Sequence, residues 1–283
     1  MSGRVAATPA WLGVLPGAAL VLLFLVPFGI MLAVSVAGRD PGGFYAFGFD
    51  LASYARVLSA FFGGILLTSL LIALGAAVIA VTLALPFTVA LAGMSRRAQT
   101  LVLVALLSVL SLSEVIVGFS VSTLLSQTAG VGNLLAVLGL TEEPRAYTPS
   151  LLALMTGLVY LAFPYAALVL YPPVSRLDPE LAQAARTMGA STARTFVTVT
   201  VPLLRAPLLG AVIMVFVFAL GSYLLPQVLG RPQHWTLSVH ITDQAVYQSN
   251  LPLAAAMAAV LLLVALAMIG LALLIGRERG AGR

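Results

Sequence analysis

Few side chains in this 283-residue sequence can do chemistry in an apolar environment. Glu114 is the only acidic residue within a long apolar stretch, where a carboxylate is costly and normally faces a cavity or a partner. It is interpreted as a contact for a cationic solute or, alternatively, as a carboxyl packed near the hydroxyls of Ser111 and Ser113. Counted from Thr100 along one helix, Glu114 lies about 21 Å into a hydrocarbon core of about 30 Å.

Other classes of reactive site are excluded by residue type. The sequence has no cysteine, and all of its 14 basic residues are arginine, which rules out thiolate chemistry, a phosphate-loop lysine and a Schiff base in this chain. His234 and His240 stand six residues apart with one acidic residue nearby, which is a poor metal site. The apolar stretches hold no cluster of catalytic groups. The sequence therefore predicts no catalytic residues, no metal and no enzyme.

Aromatic and hydroxyl side chains are further candidates for lining a solute pathway. A helix break is predicted at Pro164. The aromatic rings beside it either offer cation–π contact to a solute or pack between helices. A serine and a tyrosine follow Gly221 in a later apolar stretch. An aspartate in the last polar loop belongs to an outer gate or is simply solvated. With Glu114, the candidate pathway residues are Tyr160, Tyr165, Ser222, Tyr223 and Asp243.

The composition requires lipid as a solvent for these residues. The chain is 61% hydrophobic and 8% charged, whereas soluble domains carry about 25% charged residues. Open strand edges are not tolerated in hydrocarbon, so the spans are helices. We predict an all-α membrane protein, one domain over residues 1–283, with spans at Trp11–Val36, Gly63–Leu91, Leu101–Leu125, Leu151–Tyr171, Pro207–Leu229 and Leu253–Ile275.

The arginines predict the orientation of these spans and also argue against nucleic acid. They are scattered and form no basic face. With a cytoplasmic N-terminus, four arginines lie outside (Arg39, Arg56, Arg145 and Arg231) and the remaining ten lie inside. Cytoplasmic loops are normally richer in arginine, so both termini are predicted to be cytoplasmic.

The longest inner segment, Pro172–Ala206, has its own helix boundaries. Asp178 can cap a helix that begins at Pro179, and Gly189 can end it in a left-handed conformation. Ser191 can cap a second helix, which Pro202 would end. By local pattern alone, this segment is either a pair of surface helices that another protein approaches or a plain connecting loop.

The spacing within this segment resembles the "EAA" loop of bacterial ABC importer permeases. That pattern is Glu-Ala-Ala, three residues, Gly, nine residues, then an aliphatic-x-aliphatic-Pro ending. The matching positions are Gln183, Ala184, Ala185, Gly189 and Pro202. Gln183 replaces the usual Glu, which removes a charge that could pair with the ATPase but keeps the Ala-Ala-Gly core.

The resemblance covers roughly residues 62–275 and implies a type I importer permease fold with one extra leading helix. It implies that the segment of about residues 172–206 carries coupling helices that dock on an ATPase dimer, which binds ATP and Mg²⁺ in place of this chain. It also implies an external solute-binding protein, the bacterial inner membrane and a second permease. The second permease is a related but different chain or, alternatively, a second copy of this one.

Two stretches, Phe218–Gly230 and Asn250–Leu253, resemble the spermidine/putrescine-type subfamily. That subfamily resembles permeases for ferric iron and aminoethylphosphonate, so a polyamine-like cation is the leading cargo and these solutes are alternatives. A proton-coupled secondary transporter that uses Glu114 is a different class of function. It has no use for the loop motif, and co-purification of an ATPase would separate the two. A membrane-embedded enzyme is disfavoured by the lack of clustered catalytic groups.

Overall fold

A computed structural model describes residues 11–40 and 42–278, and the regular secondary structure of this part is helical, with one isolated bridge between Gly38 and Ala46. The predicted all-α class is confirmed. The helices are α1 (Trp11–Ser35), α2 (Ala52–Val57), α3 (Ala60–Ala92), α4 (Arg96–Leu110), α5 (Glu114–Leu124), α6 (Val131–Val137), α7 (Leu151–Ser175), α8 (Pro179–Thr187), α9 (Thr192–Thr195), α10 (Val201–Leu203), α11 (Arg205–Gly221), α12 (Leu224–Leu229), α13 (Leu237–Thr242) and α14 (Leu251–Glu278).

Membrane-length helices account for four spans in the described residues, and two bent pairs raise the number to as many as six. The four are Gly17–Ser35, Ala60–Ala92, Leu151–Ser175 and Leu251–Leu274. The pairs are Arg96–Leu110 with Glu114–Leu124, bent by 96°, and Thr192–Leu203 with Arg205–Gly221, bent by 76°. The total of six spans therefore holds only when each bent pair counts as one.

The third predicted span is not continuous, and this corrects the sequence prediction. α4 ends at Leu110, and α5 begins only at Glu114. Ser113 has an extended backbone, and its side chain accepts a hydrogen bond from the N–H of Val115. Serine competes with the helix for backbone hydrogen bonds and is favoured at such helix starts, which explains the break.

The fifth predicted span is also interrupted. α11 ends at Gly221, and α12 begins at Leu224 and runs to Leu229. Ser222 is extended, and Pro226 within α12 has no N–H to give to a continuing helix. The apolar run was long enough for one span, but its backbone forms two helices.

The described residues form two packing units. The smaller combines the residues up to Ser59 with Ile241–Val260, and the larger combines Ala60–His240 with the residues from Leu261 onward. In the smaller unit, the hydroxyls of Ser35 and Tyr54 are 2.7 Å apart and hydrogen-bonded. The single domain of the sequence analysis stays a prediction.

The core of the larger unit is formed by α3, α7 and α11, which pack against one another. α3 contributes a stripe of fully buried small residues, because spacings of three and four keep them on one face. Small side chains let membrane helices approach closely. α7 uses Gly157 in the same way, since a Cβ there would lie 2.6 Å from a methyl group of Leu229. The α3 stripe is Ala73, Ala76, Ala77, Ala80 and Ala84.

Candidate functional site

The start of α8 is built as its sequence predicts. The Asp178 side chain accepts a hydrogen bond from the N–H of Glu180 at 2.9 Å, and Pro179 occupies the first turn. The aspartate accepts a hydrogen bond from an N–H group that has no partner inside the helix. Pro179 has no N–H of its own and therefore needs no acceptor. The carboxylate of Glu180 also complements the positive end of the helix dipole. Residues 178–180 therefore fix where this helix begins.

The end of α8 is a Schellman motif centred on Gly189. This glycine has a φ of +87°, and its N–H donates to the carbonyl of Arg186 at 2.9 Å. The N–H of Ala190 donates to the carbonyl of Ala185 at 3.1 Å. These two bonds satisfy carbonyls at the helix end, and the left-handed φ favours glycine. The predicted left-handed conformation at Gly189 is confirmed.

The second helix of the loop starts as predicted and ends at Leu203, one residue after Pro202. Ser191 accepts a hydrogen bond from the N–H of Arg194 at 3.3 Å, and the chain continues through a π-helical turn at Phe196–Thr200. Pro202 lies within α10, whose last residue is Leu203. The backbone stays helical through Thr200 and Val201, and the N–H of Val201 donates to the carbonyl of Phe196, so Pro202 follows the π-helical turn without a break. The helix stops at the 76° bend that follows.

α8 presents an apolar stripe that the described chain covers only in part. Met188 is 86% exposed and Leu181 is 47% exposed. Seven residues separate them, so they share a helix face with Ala184, which is exposed, and Ala185, which is half-buried. An exposed apolar stripe on a helix is suited to contact with another protein. The sequence analysis did not single out Leu181 and Met188, although the i, i+7 spacing around the alanine pair would have revealed them.

Two predicted pathway residues meet where the third and fifth spans are broken. Glu114 is the first residue of α5, and Ser222 lies in the interruption between α11 and α12. The Ser222 hydroxyl donates to Glu114 Oε2 at 3.2 Å, and the backbone N–H of Leu224 also bonds the carboxyl group. Ser222 is 3% exposed, whereas Glu114 is half-buried. The carboxyl group thus bridges two breaks that are 108 residues apart in sequence.

The environment of Glu114 corrects two sequence expectations. The depth of about 21 Å assumed one unbroken helix, and the 96° bend before Glu114 invalidates that count. The expected serine neighbours bond elsewhere: Ser113 caps α5, and the hydroxyl of Ser111 donates to the carbonyl of Leu107 at 3.2 Å. The partner found is Ser222, which only the tertiary fold could identify.

The aromatic candidates of α7 lie on a continuous helix. The predicted break at Pro164 is wrong, because α7 runs from Leu151 to Ser175 with this proline buried inside it. Membrane helices tolerate proline where neighbouring helices compensate for the lost hydrogen bond. Tyr165 packs on the ring of Phe218 at 4.9 Å, whereas Tyr160 is half-exposed in an apolar groove. Neither tyrosine has a described contact with Glu114 or Ser222.

The remaining candidates are exposed or lie in the other unit. Tyr223 precedes α12 and is exposed beside the buried Ser222. Asp243 opens a π-helical turn, Asp243–Tyr247, in the smaller unit. In that unit the N–H of Asn250 donates to the carbonyl of Gln244 at 2.8 Å, which closes the polar loop before α14.

The histidines occupy a structured segment of the larger unit. The backbone N–H of Arg231 donates to His234 Nδ1 at 3.3 Å. Partial burial lowers the pKa of His234, and the positive charge of Arg231 lowers it further. Within residues 11–40 and 42–278, no group of three or more His, Cys, Asp or Glu residues is placed to hold a metal ion.

Comparisons with known proteins agree with this arrangement. Residues 115–279 match the family described as "binding-protein-dependent transport system inner membrane component". The spermidine/putrescine transport system permease protein PotB of Salmonella typhimurium (strain SL1344) is 30% identical over 258 residues, which cover 90% of this chain and 88% of the relative. PotB of Escherichia coli (strain K12) is 29% identical over 239 residues, covering 84% and 86% of the two chains.

A solved structure shares the fold at lower identity. A chain of a bacterial ABC transporter "involved in the import of the acidic polysaccharide alginate" superposes with a TM-score of 0.77, at 17% identity and 95% coverage of both chains. Identity at that level shows the fold and leaves the solute open. The family match contains the whole of α8 and Ser222, and it begins one residue after Glu114.

Proposed function

Because the chain belongs to the family of binding-protein-dependent transport system inner membrane components, we propose that it moves a small cationic, polyamine-like solute across the bacterial inner membrane. The chain is the permease component of an ABC importer and is not an enzyme. It has no lysine for a phosphate-binding loop, and ATP with Mg²⁺ is bound by a partner ATPase subunit.

The proposed ATPase-docking surface is the coupling loop, with Gln183, Ala184, Ala185, Gly189 and Pro202 as its motif positions. The exposed stripe of α8 supports this assignment, because an apolar face with small alanines admits a close approach by a partner. The other proposed partners are a second permease, a related but different chain, and an external solute-binding protein. The arginine distribution supports cytoplasmic termini and a cytoplasmic loop.

The single observation that supports a cationic pathway is the carboxyl group of Glu114 at the two broken spans. Irregular backbone at membrane depth is tolerated where it is buried in protein or lines a polar cavity, and transporters place solute sites at such breaks. Ser222 and the N–H of Leu224 hold the carboxyl group in place, and Glu114 itself is only half-buried. The exposed Tyr223 adds a ring for cation–π contact nearby. The PotB relatives, named for spermidine and putrescine, support a polyamine as the cation.

The test is solute-stimulated ATP hydrolysis by the complete complex, reconstituted with its binding protein. Spermidine or putrescine should stimulate hydrolysis, and Glu114→Gln should lower solute uptake at least tenfold, since it removes the charge but preserves the shape and can still accept the Ser222 hydrogen bond. Stimulation by an anionic solute that is insensitive to this change would keep the importer and overturn the cationic cargo. Failure of any ATPase to co-purify would bring the proton-coupled transporter forward.

The docking surface has a separate test in the exposed stripe. Met188→Glu places a charge in the apolar contact, so we expect at least a tenfold loss of ATPase co-purification. Thr187→Glu adds the same charge one residue earlier, off the stripe, and is the matched control. Both residues are exposed, so neither change should disturb the fold. Equal losses in the two variants would contradict docking through this face.

A further inference from the structure

A buried glutamine ties the turn between α3 and α4 to the last turns of α7. Gln99, in the first turn of α4, is 8% exposed. Its amide nitrogen donates to the carbonyls of Ala92 and Met94, each at 3.0 Å. Its amide oxygen accepts a hydrogen bond from the hydroxyl of Tyr171 at 2.8 Å. Both amide hydrogens and the oxygen therefore have partners: two backbone carbonyls at the α3–α4 turn and one side-chain hydroxyl on α7.

The position of Tyr171 connects this network to the coupling loop. Tyr171 lies one helical turn before Ser175, the last residue of α7, and seven residues before Asp178, which caps α8. Movement of α8 is passed first to this end of α7, because so few residues separate the two helices. The glutamine network holds that end against the α3–α4 turn.

A groove of about 150 Å³ separates part of α8 from the end of α3, with Val89 and Ala92 on the α3 side and Leu181 and Ala182 on the α8 side. Dispersion contacts weaken sharply when atoms separate, so a gap transmits displacement poorly. The hydrogen bonds of Gln99 cross from α7 to the α3–α4 turn beside this groove, since Ala92 belongs to both.

We propose that Gln99 and Tyr171 are positioning residues that carry movement of the coupling loop to the α3–α4 helix pair during transport. This rests on the proposed docking of an ATPase on α8. An amide with its hydrogen-bonding groups occupied on both sides fixes the distance and the orientation of the parts it joins. Without the Tyr171 hydroxyl, only the packing of α7 on α3 and α4 joins these parts, and the α3–α4 turn follows the movement of α7 less closely.

The experiment uses the complete complex with its ATPase, second permease and binding protein in liposomes. Tyr171→Phe deletes one hydroxyl, and Gln99→Met removes the amide at similar volume. The ratio of spermidine taken up to ATP hydrolysed should fall roughly two- to tenfold with Tyr171→Phe, the range expected for one lost hydrogen bond. It should fall at least as far with Gln99→Met, which removes three. ATPase co-purification should stay at the parent level. Tyr147→Phe, the same chemical change outside this network, should keep the parent ratio.

A second measurement separates transmission from a general effect on folding. The chain has no cysteine, so Met94→Cys, in the exposed α3–α4 turn, provides a unique thiol. In the parent background its labelling rate should change between the nucleotide-free and ATP-trapped complex. That change should be clearly smaller with Tyr171→Phe. If Tyr171→Phe retains both the uptake ratio and the labelling response, the transmission proposal is overturned. If no ATPase assembles with the parent chain, the docking proposal fails first and this one falls with it.

Discussion

The coupling loop and the Glu114–Ser222 contact are built from different kinds of information. In the loop, each boundary is set by a residue within three positions of it: Asp178 caps the start, Gly189 ends the first helix, and Ser191 begins the second. At the Glu114–Ser222 contact, the decisive pair is separated by 108 residues. The loop is therefore encoded locally, whereas the contact exists only in the folded chain.

This difference separates two kinds of functional surface. α8 is short and has no buried residue, so its shape must come from caps rather than from packing. The Glu114 contact lies among packed helices, where α5 and α12 touch each other and both touch α7. A substitution in the loop should alter the end of a helix, whereas a substitution at Glu114 should alter how two spans are held together.

Of the variants that follow, Gly189→Ala in the loop is expected to have the largest effect. A side chain at a φ of +87° costs about 1–2 kcal/mol, so the Schellman motif should open and the loop helices should lose their mutual angle. We expect solute uptake to fall about tenfold, with a parallel loss of ATPase co-purification.

Gly210→Ala is the matched control for this prediction. Gly210 lies in α11 without a positive φ, and a Cβ added there would meet nothing within 4 Å. Alanine also favours a helix over glycine. If the two variants transport equally well, the left-handed end of α8 is not required for coupling.

A smaller effect is expected from Ser222→Ala at the span breaks. The change removes one donor to the Glu114 carboxyl group, and a single hydrogen bond contributes about 1 kcal/mol. The midpoint of thermal unfolding of the purified complex should fall by a few degrees, and uptake should fall several-fold. ATPase co-purification should not change, because the loop is untouched.

The coupling between the two residues can be measured by a double-mutant cycle with Glu114→Ala. Residues in contact show interaction energies of about 0.5–3 kcal/mol, whereas independent residues have additive effects. A non-additive result would distinguish this contact from the loop, because the effects of loop variants and of Ser222→Ala should be additive. Simple additivity at Glu114 and Ser222 would contradict an energetic contact at 3.2 Å.

The same contrast explains what the sequence could predict. Hydropathy identified the apolar segments, and cap residues fixed both ends of α8, since each depends on neighbours in the chain. Hydropathy missed the helix interruptions at Ser113 and Ser222, because an apolar run shows only that a segment can be buried, not that its helix is continuous. The error at Pro164 was the opposite one: a helix break was predicted, but packing around α7 keeps the helix continuous through this proline.

Long-range partners could not be identified from the sequence. Ser222 as the donor to Glu114 and Tyr171 as the donor to Gln99 require α5, α12, α4 and α7 to be assembled first. Residue type marked Glu114 because a carboxyl group in an apolar stretch is unusual. No comparable feature marks Gln99, which lies near the polar start of α4 and looks like an ordinary helix residue.

The smallest effect is expected from Gln183→Glu, which installs the residue that the loop pattern usually has. Gln183 is exposed on α8 and lies three residues before Arg186. A carboxylate there can pair with Arg186 on the helix surface, worth about 0.2–0.5 kcal/mol, or with a basic group on the ATPase. Uptake should stay within about twofold of the parent chain, measured at low and high salt. If docking is set by the caps and the apolar stripe, this change leaves coupling intact. A tenfold gain that is lost at high salt would instead show that a charge at this position governs docking, and that local helix geometry alone does not define the coupling surface.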